Sequence, residues 1–146
     1  MRSALLNLSA KTEYACIAMV ELALRHQGTD PVRVKAIADR HGVPPRFLVQ
    51  ILLQLKGAGM VASTRGAAGG YQLARNPEEI TLADIIEVIE GRPSDFLKNV
   101  EETRVVTELR RTWQQASNAK QAVLSDTTLA DLVSRIGPHA EPMYYI

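Results

Sequence analysis

The stretch of the chain best suited to chemistry is Arg65-Gly66-Ala67-Ala68-Gly69-Gly70-Tyr71, an arginine followed by three glycines within five residues. Glycine permits positive φ and close approach of the backbone, and an arginine beside it can reach a phosphate or a narrow groove without crowding. One chemistry that uses this combination is the phosphate-binding nest of a nucleotide enzyme. Here no Gly-Lys-Ser/Thr follows, and the next residues read as a strand rather than a helix. The other is the tip of a β-hairpin that inserts its arginine into the minor groove of a duplex.

Covalent and metal chemistry find little support. There is no Ser/His/Asp or Cys/His motif and no paired carboxylate in apolar surroundings, so no catalytic residue is assigned and an enzyme is not expected. His26, His41 and His139 are widely separated and give no metal-ligand spacing. Neither a metal nor another cofactor is expected. The one cysteine, Cys16, lies among Tyr14, Ile17 and Val20. It reads either as a packed thiol or as a redox site, with no second cysteine in the chain to resolve a sulfenate. Every hydrophobic segment is interrupted by charge and no signal-peptide run opens the chain, so a cytoplasmic protein without membrane association is expected.

The net charge of +1 hides an asymmetry. Before Asn76 there are ten basic and four acidic residues, a balance of +6; after it, seven basic and twelve acidic, a balance of −5. A basic half can concentrate near a polyanion while the acidic half stays away. A dipolar surface without nucleic-acid binding fits the same counts.

Several elements must hold these residues in place. Ser9 caps a helix running to about His26, and Val34 to His41 forms a short helix closed by Gly42. Pro44 and Pro45 start another, with Leu48, Ile51, Leu52 and Leu55 as its buried stripe and Arg46, Gln50, Gln54 and Lys56 on other faces. Two helices around a tight glycine turn give a helix-turn-helix, although an ordinary helical hairpin has the same pattern. Met60 to Thr64 and Tyr71 to Ala74 read as the strands of the hairpin. Thr81-Leu82-Ala83-Asp84 and Thr128-Leu129-Ala130-Asp131 are two similar helix starts, read as independent uses of the same capping chemistry, and Gly91 and Gly137 are the stops. From Val100 to about Leu124 a long helix aligns Val105, Leu109, Trp113, Ala116 and Val123, with Glu101 and Glu102 in its first turn. It is expected to pair with a second copy of itself, the alternative being that it lies across its own domain. The expected fold is mainly α with a small β-hairpin wing: a winged helix-turn-helix domain over 1–91, a loop over 92–99, and a dimerisation helix with a C-terminal helix and tail over 100–146.

In this order, the elements resemble the Rrf-two family of bacterial winged-helix regulators. Ala10-Lys11-Thr12-Glu13-Tyr14-Ala15 is similar to the family's opening. Phe47 to Leu52 and Leu55 to Val61 resemble its recognition helix and exit, Arg65 to Leu73 its wing, and Ile80 to Gly91 the helix that follows. With Trp113 and the second Thr-Leu-Ala-Asp-Leu run, the resemblance spans nearly the whole chain. It implies a homodimer on a palindromic operator of double-stranded DNA, acting as a repressor. Arg46 and Gln50 are then nearest base edges or phosphates, Arg65 and Gly66 belong to the minor-groove wing, and Lys56, Thr64 and Tyr71 are backbone contacts. Cluster-binding members carry three cysteines between the short helix and the long one; Arg92 to Arg104 holds none, so no iron–sulfur cluster is expected. Val49 stands where some members have an acidic residue, so base preference does not transfer. The signal would be an unidentified small-molecule or protein effector, sought near Pro93 to Asn99. An alternative function is a ligand- or protein-binding module that has lost DNA binding or uses it conditionally.

Overall fold

A computed structural model describes residues 5–28, 30–67, 69–92 and 99–137. Its helices are α1 (Ala10–Leu24), α2 (Val34–His41), α3 (Pro45–Gly57), α4 (Leu82–Glu90), α5 (Arg104–Asp126) and α6 (Leu129–Ile136). The strands β1 (Val61–Thr64) and β2 (Gly70–Leu73) lie between α3 and α4, and a 3₁₀ turn at Pro77–Glu79 leads into α4. The chain is mainly helical with a two-stranded antiparallel hairpin. Among the described residues, no helix is long and apolar enough to cross a membrane.

The core gathers side chains from elements far apart in sequence. Ala15, Ala18, Met19 and Leu22 of α1 pack with Ile37 of α2, Leu48, Ile51, Leu52 and Leu55 of α3, Ile85 of α4 and Leu129 of α6, all essentially without solvent access. The small residues of α1 let several helices approach it at once. Capping fixes where the helices start: the Ser9 side chain accepts from the Thr12 N–H, Thr81 from Asp84 and Thr128 from Asp131. Gly42, at φ +66°, ends α2 in the left-handed conformation that a side chain would disfavour.

Three local expectations need revision. The two Thr-Leu-Ala-Asp starts are not independent, because they pair. The Leu82 N–H donates to the Thr127 carbonyl at 3.0 Å and the Leu129 N–H to the Ile80 carbonyl at 2.9 Å, an antiparallel bridge between Thr81 and Thr128. The C-terminal end of α5 and the start of α6 are thus held on the core, where Leu129 is fully buried and Val133 packs beside it. The long helix begins at Arg104 rather than Val100, since Thr103 is extended and its side chain accepts from the Val106 N–H. Glu102 therefore precedes the helix, accepting from Thr107 Oγ1 at 2.9 Å and Arg110 Nη1 at 2.7 Å. The tail beyond Gly137 and residues 93–98 lie outside the described residues.

One buried charge braces the domain. Glu21 of α1 is 4% exposed, and its carboxylate accepts from Arg25 Nε at 2.7 Å, meets His41 Nε2 at 2.8 Å and accepts from Arg40 Nη1 at 3.4 Å. Burial alone would raise this carboxyl group. The hydrogen bonds from Arg25 and His41 and the charges of Arg25 and Arg40 outweigh it and hold the group below its ordinary value of 4.5. A carboxylate with a lowered folded-state pKa contributes stability that is fully present above the unfolded value and is lost as pH falls through the folded one. Glu21→Gln is accordingly expected to cost about 1–3 kcal/mol at neutral pH. Its urea-midpoint curve should be flatter than the wild type's below pH 4.5; parallel curves would remove Glu21 as the source of that acid sensitivity.

Candidate nucleic-acid interface

The geometry of α3 follows from its sequence. Leu48, Ile51, Leu52 and Leu55 recur at i, i+3, i+4 and i+7 and are buried, so one stripe faces the core. Pro44 and Pro45 begin the helix where a missing N–H costs nothing. Gln54 Nε2 donates to the Val88 carbonyl at 2.9 Å, fastening α3 to α4. With that side fixed, Arg46, Val49, Gln50 and Leu53 form a second i, i+3, i+4, i+7 stripe on the opposite side, every member exposed. Lys56 is exposed at the end of the helix. Arg46 and Gln50, expected nearest base edges or phosphates, therefore share one outward stripe. Val49 and Leu53 were not singled out for it, although apolar residues out of phase with the core stripe were a readable signal.

The hairpin pairs Val61 with Leu73, Ala62 with Gln72, Ser63 with Tyr71 and Thr64 with Gly70. One further bond, from the Ala74 N–H to the Met60 carbonyl at 2.9 Å, extends the ladder to the ends read from the sequence. Arg65 and Gly66 lie on the turn beyond Thr64, and all three are exposed. Gly66 has φ +101°, and its carbonyl accepts from the Gly69 N–H at 3.0 Å, closing the tip. A Cβ on Gly69 would collide with the Thr64 carbonyl, so glycine is required there. Tyr71 differs from the other expected contacts. Its side chain is half-buried against the core, and its N–H and carbonyl each exchange a 2.8 Å bond with Val32. The segment before α2 thus pins the hairpin beside the helix-turn-helix, a pairing the sequence did not reveal.

The remaining expected site residues lie elsewhere. Val105, Leu109, Trp113, Ala116 and Val123 are all exposed on α5, with Trp113 56% accessible. Cys16 packs against the core, and burial, reinforced by the charges of Glu13 and Glu90, pushes its thiol up to about 11. At neutral pH this leaves the neutral thiol dominant rather than the reactive thiolate. Nearby, Glu90 Oε2 accepts from Thr12 Oγ1 at 2.7 Å and from the Ser9 N–H at 3.1 Å, tying the end of α4 to the start of α1. Among the described residues no group of three His, Cys, Asp or Glu could hold a metal ion. A cluster held by three thiolates does not fit this donor set, because the chain has a single cysteine and it sits on α1.

Comparison with known proteins gives a consistent result. The family model Rrf2, described as an iron-dependent transcriptional regulator, matches residues 8–135. The HTH-type transcriptional regulator CymR of Bacillus subtilis is 38% identical over 144 residues, covering 97% of this chain and all of the relative. The solved structure of CymR, the global cysteine regulator of B. subtilis, superposes with a TM-score of 0.78 at 39% identity, over 89% of this chain and 98% of that one. The IscR structure from T. potens gives a TM-score of 0.77 at 36% identity, over 90% of this chain and 89% of the other. The fold is the winged helix of these proteins.

The Val32 pairing generates a direct test. A Cβ on Gly70 would strike the Val32 carbonyl and come within 3.0 Å of the Arg33 nitrogen, both backbone atoms that cannot swing aside. Gly70→Ala is expected to lower stability by about 2 kcal/mol or more through this strain. It should also raise amide exchange at Val32 and Tyr71. Unchanged protection at both amides would show that the pairing does not depend on this glycine.

Proposed function

We propose, from the premise that the chain belongs to the Rrf2 family of winged-helix transcriptional regulators, that it binds a palindromic operator sequence-specifically as a homodimer and represses transcription without an iron–sulfur cluster. The observation that carries this reading is the outward stripe of α3, held opposite the core stripe and accompanied by an exposed wing arginine. In this reading α3 enters the major groove with Arg46 and Gln50 at base edges or phosphates, and Arg65 enters the adjacent minor groove beside Gly66. Lys56 and Thr64 contact the backbone, while Tyr71 supports the wing from inside.

The exposed face of α5 supplies the dimer seam. Its 23 residues span about 35 Å at 1.5 Å per residue. Among the described residues nothing covers Val105, Leu109, Trp113 and Val123, and a second copy offers the matching stripe. A two-fold axis through this seam relates two recognition helices and hence two half-sites. A dimer seated across an operator keeps other proteins off the same DNA, which makes repression the direct consequence of binding. An effector that favours one dimer geometry over another would modulate that affinity.

Selection of duplexes from a random pool, followed by anisotropy titration at several salt concentrations, tests the reading. Tight, salt-sensitive binding to an inverted repeat by the metal-free protein is expected. Arg65→Ala should weaken binding and reduce the salt slope by about one while leaving the dimer intact; an unchanged affinity would remove the wing's role. Trp113→Glu should shift sedimentation from dimer to monomer. A Trp113→Glu protein that stays dimeric would move the seam away from α5.

A further inference from the structure

The outward stripe of α3 is half apolar. Val49 is 42% exposed and Leu53 55%, one turn apart, and they alternate with Arg46 and Gln50 along the same face. Nothing in the described residues requires these positions to be apolar, since the core is met by the opposite stripe. A protein partner is a poor match: the two aliphatic side chains are interrupted by an arginine and a glutamine, and the exposed Phe47 lies off this stripe on another face of the helix. The surroundings match a polyanion instead. Helix α3 carries Arg46 and Lys56 and no acidic residue, and it lies in the part of the chain where ten basic residues face four acidic ones.

We propose that Val49 and Leu53 read the 5-methyl groups of thymines in the major groove, so that each operator half-site carries A·T pairs beneath α3. Thymine is the DNA base that presents an apolar group on the major-groove edge. Gln50, between the two aliphatic residues, has the amide geometry that pairs with adenine N6 and N7, and the thymine opposite such an adenine places its methyl on the same edge. The stripe thus offers hydrogen-bonding and apolar groups in the mixture that an A·T pair displays. Positions 49 and 53 are thereby specificity-determining, whereas Lys56 contributes attraction to any duplex. This inference rests on DNA binding through α3.

The test deletes methyl groups from the DNA, so it needs no folded variant. Each thymine of the selected duplex is replaced in turn by deoxyuracil, which differs only in lacking the 5-methyl group, and affinity of the full chain is measured by anisotropy. At least one position per half-site is expected to lose about fourfold in affinity, the effect of leaving one methyl unburied. In Val49→Ala or Leu53→Ala, both changes at exposed sites, that sensitivity should disappear while the salt slope stays the same. Selective, salt-sensitive binding that tolerates every deoxyuracil would overturn methyl reading and leave DNA binding standing. Sensitivity that persists in both variants would overturn the assignment of these residues. Binding to no duplex would bring down the DNA-binding reading and this one with it. A change in the sedimentation of DNA-free protein on Leu53→Ala would make the stripe a protein interface and overturn the proposal.

Discussion

Helix α3 has to bury four aliphatic side chains on one side, and that requirement sets the geometry of everything it presents on the other. Leu48, Ile51, Leu52 and Leu55 are completely enclosed, and each contributes about 2 kcal/mol relative to an exposed side chain. Rotating the helix would expose several of them at once. Arg46, Val49, Gln50 and Leu53 are therefore held outward without a single contact of their own needing to fix them. Gln54 adds direction to the non-directional burial by bonding the α4 backbone. The proposed reading of bases by this surface benefits from this rigidity, because ordering it on binding costs little further entropy.

Around α3 the domain is assembled by pairings between distant segments. Val32 joins the hairpin, Glu21 gathers basic groups from α1 and α2, and the Thr81 and Thr128 caps bridge each other. Each uses directional polar groups at the edge of an apolar core, where a mispaired alternative would leave donors and acceptors unsatisfied. The last of them has the longest reach. By returning α6 to the core beside α4, it anchors the C-terminal end of α5, where Leu124 is buried, while the apolar stripe along the rest of the helix stays in solvent. The same helix is thus firmly rooted and unfinished.

The side-chain donors present limit the redox and metal chemistry open to the molecule. A single half-buried thiol with a raised pKa is poorly suited to thiolate chemistry, and the donors for a three-thiolate cluster are lacking. What remains between α4 and the start of α1 is a hydrogen-bonded junction in which Glu90, Thr12 and Ser9 meet. That junction ties the two elements on either side of the DNA-binding unit, a mechanical link rather than a reactive centre.

The amino-acid sequence by itself determined the helices, their caps and stops, and the wing, because these depend on local chemistry. Ser9, Thr81 and Thr128 cap, Gly42 closes a helix in left-handed geometry, and the glycines at 66, 69 and 70 fit the turn. The buried stripe of α3 was equally legible from its period, and so were the outward positions of Arg46 and Gln50. The start of α5 was missed by four residues, since a threonine cap and a side-chain network around Glu102 decided it. Only the tertiary structure decided the Val32 pairing, the burial of Glu21 and the bridge between the two threonine caps. Each joins residues 19 to 47 positions apart through hydrogen bonds that no local pattern encodes. How far the out-of-phase apolar residues stay open to solvent was also settled there: no other element of the described structure covers Val49 or Leu53, which remain 42% and 55% exposed.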